Sequence, residues 1–144
     1  MKIIIEELQN DEEEQISIKC RNMTPEILKI LDSFKAQNVL IAYSGNEIHR
    51  VDSSSIYYIE TVDDRSFLYC DNNVYESKSK LYELEEKLSG NDFLRISKSV
   101  IVNLGKIKKL VPALSGRFEA VLMNDLKVII SRQYVNELKR KLGI

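Results

Sequence analysis

Phe93-Leu94-Arg95-Ile96-Ser97-Lys98-Ser99-Val100-Ile101-Val102-Asn103-Leu104 sets a polar knot, Arg95 to Ser99, between apolar runs, and Ile129-Ile130-Ser131-Arg132-Gln133-Tyr134 repeats the device about thirty residues later. Strands bury apolar runs and leave such knots at their ends, where loops reach solvent. Arg, Lys, Ser and Gln are the side chains that grip phosphates and read base edges. Two basic-polar knots with no catalytic chemistry nearby point to nucleic acid rather than to a substrate. Two ordinary solvated loops are the plain alternative.

Outward from these knots the pattern is mostly strand. Val39–Tyr43 turns at Ser44-Gly45-Asn46 into the alternating Glu47–Val51. Ile56–Thr61 is β-rich and is broken by a loop at Val62-Asp63-Asp64-Arg65-Ser66. Phe67–Cys70 and Val74–Ser77 flank Asp71-Asn72-Asn73, a hairpin loop by residue type. Lys80–Leu88 reads as a helix with Leu81, Leu84 and Leu88 on one face and Ser89-Gly90-Asn91 as its stop. Strands follow at Phe93–Ile96, Val100–Asn103 and Ile107–Pro112, then a hairpin joins Phe118–Met123 to Lys127–Ile130, and Tyr134–Leu142 closes as a short basic helix.

The first forty residues read differently, as a ββα appendage (1–40) ahead of a mainly β domain (41–144). Ile3–Ile5 and Ile16–Cys20 read as strands around the acidic turn Asn10–Glu14. Thr24-Pro25-Glu26 is a helix start, with Thr24 as N-cap and Pro25 at the first helical position. Ile27, Leu28, Leu31 and Phe34 then form an apolar face that docks on the rest of the chain or on a second copy.

At 144 residues and 44% hydrophobic the chain can bury a real core. Its apolar runs are too short to span a bilayer, and the acidic start does not suit an export signal, so a cytoplasmic protein is expected. Cys20 and Cys70 form no metal spacing or redox motif and read as small hydrophobes. The net charge of −1 hides an asymmetry: residues 95–141 hold eleven basic against three acidic side chains, a local +8. That excess suits a polyanion, unless it pairs with acidic segments inside the fold.

Enzyme chemistry finds no support. The one histidine, His49, has no nucleophile partner, and the five glycines form no phosphate-binding loop. Glu60, Asp63 and Asp64 could hold a hard cation, but acids at a strand end are ordinarily just solvated. Neither cofactor nor metal nor small-molecule substrate is therefore expected.

The succession I-Y-Y-I-E-T, loop, hairpin, L-Y-E-L-E-E-K-L, F-L-R-I-S-K-S-V-I-V-N-L and I-I-S-R-Q-Y is similar to the LytTR DNA-binding domain over about residues 42–142. The resemblance implies an α+β, mainly β fold: about ten short strands in small antiparallel sheets with one or two short helices. It implies DNA contact by loops that enter successive major grooves, and the class of LytTR regulator that carries no receiver domain. By position, the family's readers fall at the loop after Glu60, just before Ser99, and just after Ser131-Arg132. The DNA-binding set so implied is Arg65, Arg95, Ser97, Lys98, Arg132 and Gln133, with Asp63 and Asp64 departing from the family's usual histidine. Lys98 suits guanine and Gln133 adenine, while Arg95 can equally hold the turn, and Asn103 anchors its loop from the strand end.

The function expected is a sequence-specific transcription regulator acting on double-stranded DNA. The competing reading is a protein-interaction module whose DNA binding is weakened by Asp63 and Asp64 and governed by a membrane-protein partner. A homodimer is a further expectation.

Overall fold

The computed structural model describes residues 2–36 and 39–144, with side chains for all of these but 34–36. Ten strands form among the described residues: β1 (Val39–Ser44), β2 (Glu47–Asp52), β3 (Ile56–Val62), β4 (Arg65–Cys70), β5 (Val74–Ser77), β6 (Phe93–Arg95), β7 (Val100–Asn103), β8 (Ile107–Pro112), β9 (Phe118–Leu122) and β10 (Lys127–Ile130). Three α-helices accompany them, α1 (Pro25–Ala36), α2 (Leu81–Lys87) and α3 (Arg132–Leu142). Every pairing is antiparallel, in a seven-stranded sheet of order β2-β1-β5-β4-β3-β7-β6 and a three-stranded sheet of order β10-β9-β8. Strands separate each helix from the next, so no helix-turn-helix is formed among the described residues. No described helix is long and apolar enough to cross a membrane.

The strands flanking the first knot are apolar on both faces because both faces are covered. Ile56 and Ile59 of β3, Ile101 of β7 and Phe93 of β6 join Leu40, Leu68 and the α2 face of Leu81, Leu84 and Leu88 in one core. Their neighbours Tyr57, Leu94 and Val102 turn the other way, into a second core with Ala120, Leu122, Ile130 and the α3 residues Val135 and Leu138. A sheet buried on both sides reads as a continuous apolar run rather than as alternation. Ile56 and Ile59 share a face although three residues apart, because the register against β4 slips at Tyr57. A bulge inserts one residue and so resets the two-residue period.

Buried Asn103 ties the end of β7 to the centre of the sheet. Its Nδ2 donates to the Ile56 carbonyl at 2.8 Å and its Oδ1 accepts from the Gly105 N–H at 3.0 Å, which holds the 310 turn Leu104–Lys106. The anchoring role read from the sequence is the one observed.

Several expected elements take other forms. Of the ββα appendage only the helix forms, from Pro25: residues 2–24 contain no strand. A turn does close, with the Glu12 N–H donating to the Gln9 carbonyl at 3.1 Å. A hairpin around it would set Glu7 opposite Glu14, and like charges directly opposite destabilise a pair. Thr24 caps α1 as expected, its Oγ1 accepting from the Ile27 N–H. The covered face of α1 is Ile27, with Ile30 and Leu31 half-buried, whereas Leu28 is exposed. The Phe34 side chain lies outside the described ones. The loop expected over residues 62–66 shrinks to a two-residue turn, because β3 and β4 pair out to Val62 and Arg65. The last helix begins at Arg132 rather than Tyr134. Cys70 is half-buried, and burial raises its thiol pKa, but Cys20 is exposed and so is no core hydrophobe.

Asn103→Ala leaves the Ile56 carbonyl and the Gly105 N–H without their partner. A loss of about 1–3 kcal/mol is expected in urea unfolding, with the antiparallel-sheet circular dichroism retained.

Candidate nucleic-acid interface

Three chain segments meet at one end of the central strands. β3 and β7 run antiparallel, so the turn after β3 and the loop before β7 emerge together. The Thr61 N–H donates to the Ser99 carbonyl at 2.8 Å, which extends the ladder into that loop. The Ser131 N–H donates to the Ile96 carbonyl at 2.8 Å, which joins the loop to the start of α3. Two knots more than thirty residues apart in sequence are thereby bonded side by side. They enclose one open concavity of about 440 Å³ lined by Ser97, Lys98, Ser99, Ser131, Arg132 and Gln133.

Each expected site residue has a distinct setting. Lys98 is exposed at the loop tip. Ser97 is half-buried and turns the loop, its Oγ accepting from the Ser99 N–H at 3.2 Å. Arg95 faces inward: Nε donates to the Ser97 carbonyl at 2.9 Å, Nη2 donates to the Lys98 carbonyl, and Nη1 donates to Glu85 of α2 at 3.1 Å. Of the two roles open to Arg95 in the sequence, its hydrogen bonds match the one that holds the turn.

Arg132 and Gln133 occupy the first turn of α3, and both are exposed. The opening N–H groups of a helix lack intrahelical partners and carry partial positive charge, so this end attracts anions even before the Arg132 guanidinium is counted. The Arg132 stem lies over Gly116, where a Cβ would come within 3.0 Å of its Cδ. Gly116 also has φ +75°, so the position suits glycine twice over. The β8–β9 loop is in this way brought to the edge of the concavity, a neighbour that the sequence did not reveal.

Arg65 stands apart from the other five. Its guanidinium pairs with Glu76, Nε to Oε1 at 2.8 Å and Nη2 to Oε2 at 2.6 Å, and lies 5.4 Å from the Phe67 ring centroid. This hydrogen-bonded pairing raises the Arg65 pKa and lowers that of Glu76. Asp63 and Asp64 form the turn before it, both at positive φ (51° and 60°), and place two carboxylates on its tip. No group of three His, Cys, Asp or Glu among the described residues is arranged to hold a metal.

The +8 segment is not one patch. Lys106, Lys108 and Lys109 follow β7 and so lie toward the end opposite the concavity. Lys106 sits over the Tyr57 ring and Lys108 pairs with Asp125 at 3.3 Å. Lys127 pairs with Glu119, and Arg140 with Glu137 in the last turns of α3.

A family model described as the LytTr DNA-binding domain matches residues 46–143. The chain is 31% identical over 99 residues to the sensory transduction protein LytT of Enterococcus faecalis, covering 69% of this chain and 41% of that one. It is 30% identical over 113 residues to the LytT protein of Bacillus subtilis, of which it spans 47%. The chain therefore spans less than half the length of these two relatives. A Staphylococcus aureus protein described as an uncharacterized HTH-type transcriptional regulator is 29% identical over 138 residues, which cover 94% of this chain and 93% of that one. Among solved structures, a LytTr DNA-binding domain from Bacillus cereus matches with a TM-score of 0.70 at 25% identity, over 74% of this chain and 98% of that one.

A two-residue hairpin turn with both φ values positive favours Asn-Gly over Asp-Asp. Asp63→Asn/Asp64→Gly is therefore expected to raise stability by about 0.5–1 kcal/mol, read as a higher denaturation midpoint at unchanged m.

Proposed function

Because the chain belongs to the LytTr DNA-binding domain family, we propose that it is a sequence-specific transcriptional regulator that reads base edges with Lys98 and Gln133, presented from paired loops at one end of its sheet. The observation that carries this reading is the Ser131–Ile96 hydrogen bond, which makes one surface of two basic-polar knots. The fold offers no helix pair for the task among the described residues, so the loops and the first turn of α3 do the reading.

The roles follow from the chemistry. Lys98 donates to guanine O6 or N7, and Gln133 makes a two-point contact with adenine, its Oε1 accepting from N6–H and its Nε2 donating to N7. Arg132 and the N–H groups that open α3 hold a phosphate beside them. Ser97 and Arg95 keep the Lys98 loop in shape. Arg65 reaches a phosphate only by leaving Glu76. If the loops enter successive grooves, two readers stand about 34 Å apart on the duplex, but the single concavity that Lys98 and Gln133 both line supports a shorter spacing for this pair. They address neighbouring base pairs in one groove, and the flanking β3–β4 and β8–β9 turns extend the footprint toward the next.

The Asp63-Asp64 tip favours a second reading, in which the same surface serves a protein partner and DNA binding is weak. Titration of the wild-type chain against DNA separates the two. On the DNA reading it binds selectively with both acids in place; on the partner reading it binds weakly and without selectivity until Asp63→Asn/Asp64→Gly removes two like charges from beside the duplex.

Two measurements test the proposal. Selection from a randomised site library should show Lys98→Ala and Gln133→Ala each relaxing preference at its own base pair, at about 1–3 kcal/mol, with the two positions adjacent or nearly so. Lys108→Ala should leave the preference profile intact. Uniform weakening by Lys98→Ala and Gln133→Ala, with the profile unchanged, would remove them as readers. An anisotropy titration against salt should give a log–log slope of about −0.9 per phosphate neutralised, and a flat line would end the DNA reading.

A further inference from the structure

Residues 2–8 form an arm that belongs to no helix or strand, and the described residues leave its isoleucines uncovered: Ile3, Ile4 and Ile5 are 83%, 68% and 89% exposed. The arm lies across an open groove from residues 14–19, lined on its side by Lys2, Ile4, Glu6, Glu7 and Leu8, and joins no ladder. An extended apolar segment with unpaired N–H and C=O groups is a template for another strand. The chain's own second arm is a poor candidate, since the hairpin register opposes Glu7 to Glu14.

A copy of the same arm fits better. With two antiparallel arms related by a two-fold axis at Ile4, each Lys2 stands opposite the Glu6 of its partner, Ile3 opposite Ile5, and Ile4 opposite Ile4. Both ion pairs and all the aliphatic pairs are then satisfied in one self-complementary register, as an isologous contact requires. We propose that residues 2–6 pair with the same residues of a second copy in an antiparallel ladder centred on Ile4, so that the protein is a dimer joined through these arms.

Sedimentation of the full chain tests this without DNA, so its outcome is independent of the proposed function. The wild-type chain should dimerise in the micromolar range. Lys2→Glu, which opposes Glu to Glu twice, should raise the dimer dissociation constant about tenfold. Lys2→Glu/Glu6→Lys should restore it by reversing both pairs. Ile4→Lys, which sets like charges on the axis, should give monomers. These side chains are exposed, so the circular dichroism of each variant should match the wild type. A wild-type chain that stays monomeric, an Ile4→Lys dimer as tight as the wild type, or a double variant no tighter than Lys2→Glu would each overturn the proposal.

Discussion

The pairing of β3 with β7 is the constraint on which the remaining structure depends. Three residue pairs, Tyr58–Val102, Ile59–Ile101 and Glu60–Val100, set two strands side by side with a core on each face. One face needs α2 to cover it, and the other needs the three-stranded sheet with α3. A one-residue slip would exchange the two faces of β7 and send Ile101 into the wrong core. The tie from Asn103 to Ile56 at one end and the Thr61–Ser99 bond at the other pin that register.

From this register comes the geometry of the loop end. β7 starts where β3 stops, so the Ser97–Ser99 loop has to sit beside the Asp63-Asp64 turn. The Ser131–Ile96 bond then brings in the start of α3, and Gly116 lets the Arg132 stem lie close. Lys98 protrudes, while Arg95 turns back to hold two carbonyls of the same loop and Glu85 of α2. Two neighbouring cations thus have opposite uses, and it is the inward one that keeps the outward one in place.

Charge is arranged more locally than the totals imply. Several cations of the basic segment have acidic neighbours, as in Lys108–Asp125, Lys127–Glu119 and Arg140–Glu137. These exposed pairs contribute little stability, but they reduce the field of a segment with net +8. Lys98, Arg132 and the opening N–H groups of α3 remain concentrated on the concavity.

By itself the sequence determined the element types of residues 39–142, because apolar period and turn chemistry are local: Gly45 at its turn, Leu81, Leu84 and Leu88 along α2, the two-faced apolar runs of β6 and β7. It also singled out Lys98, Arg132 and Gln133, since basic-polar knots at strand ends are visible in residue order. Tertiary structure alone decided that the two knots are one surface, that Arg65 pairs with Glu76, and that Arg132 begins a helix rather than ending a loop. Those outcomes depend on partners distant in the chain. The N-terminal arm shows the same limit from the other side. Ile3–Ile5 and Ile16–Cys20 have strand-like composition, yet a strand exists only where another pairs with it, and none of the described residues does so.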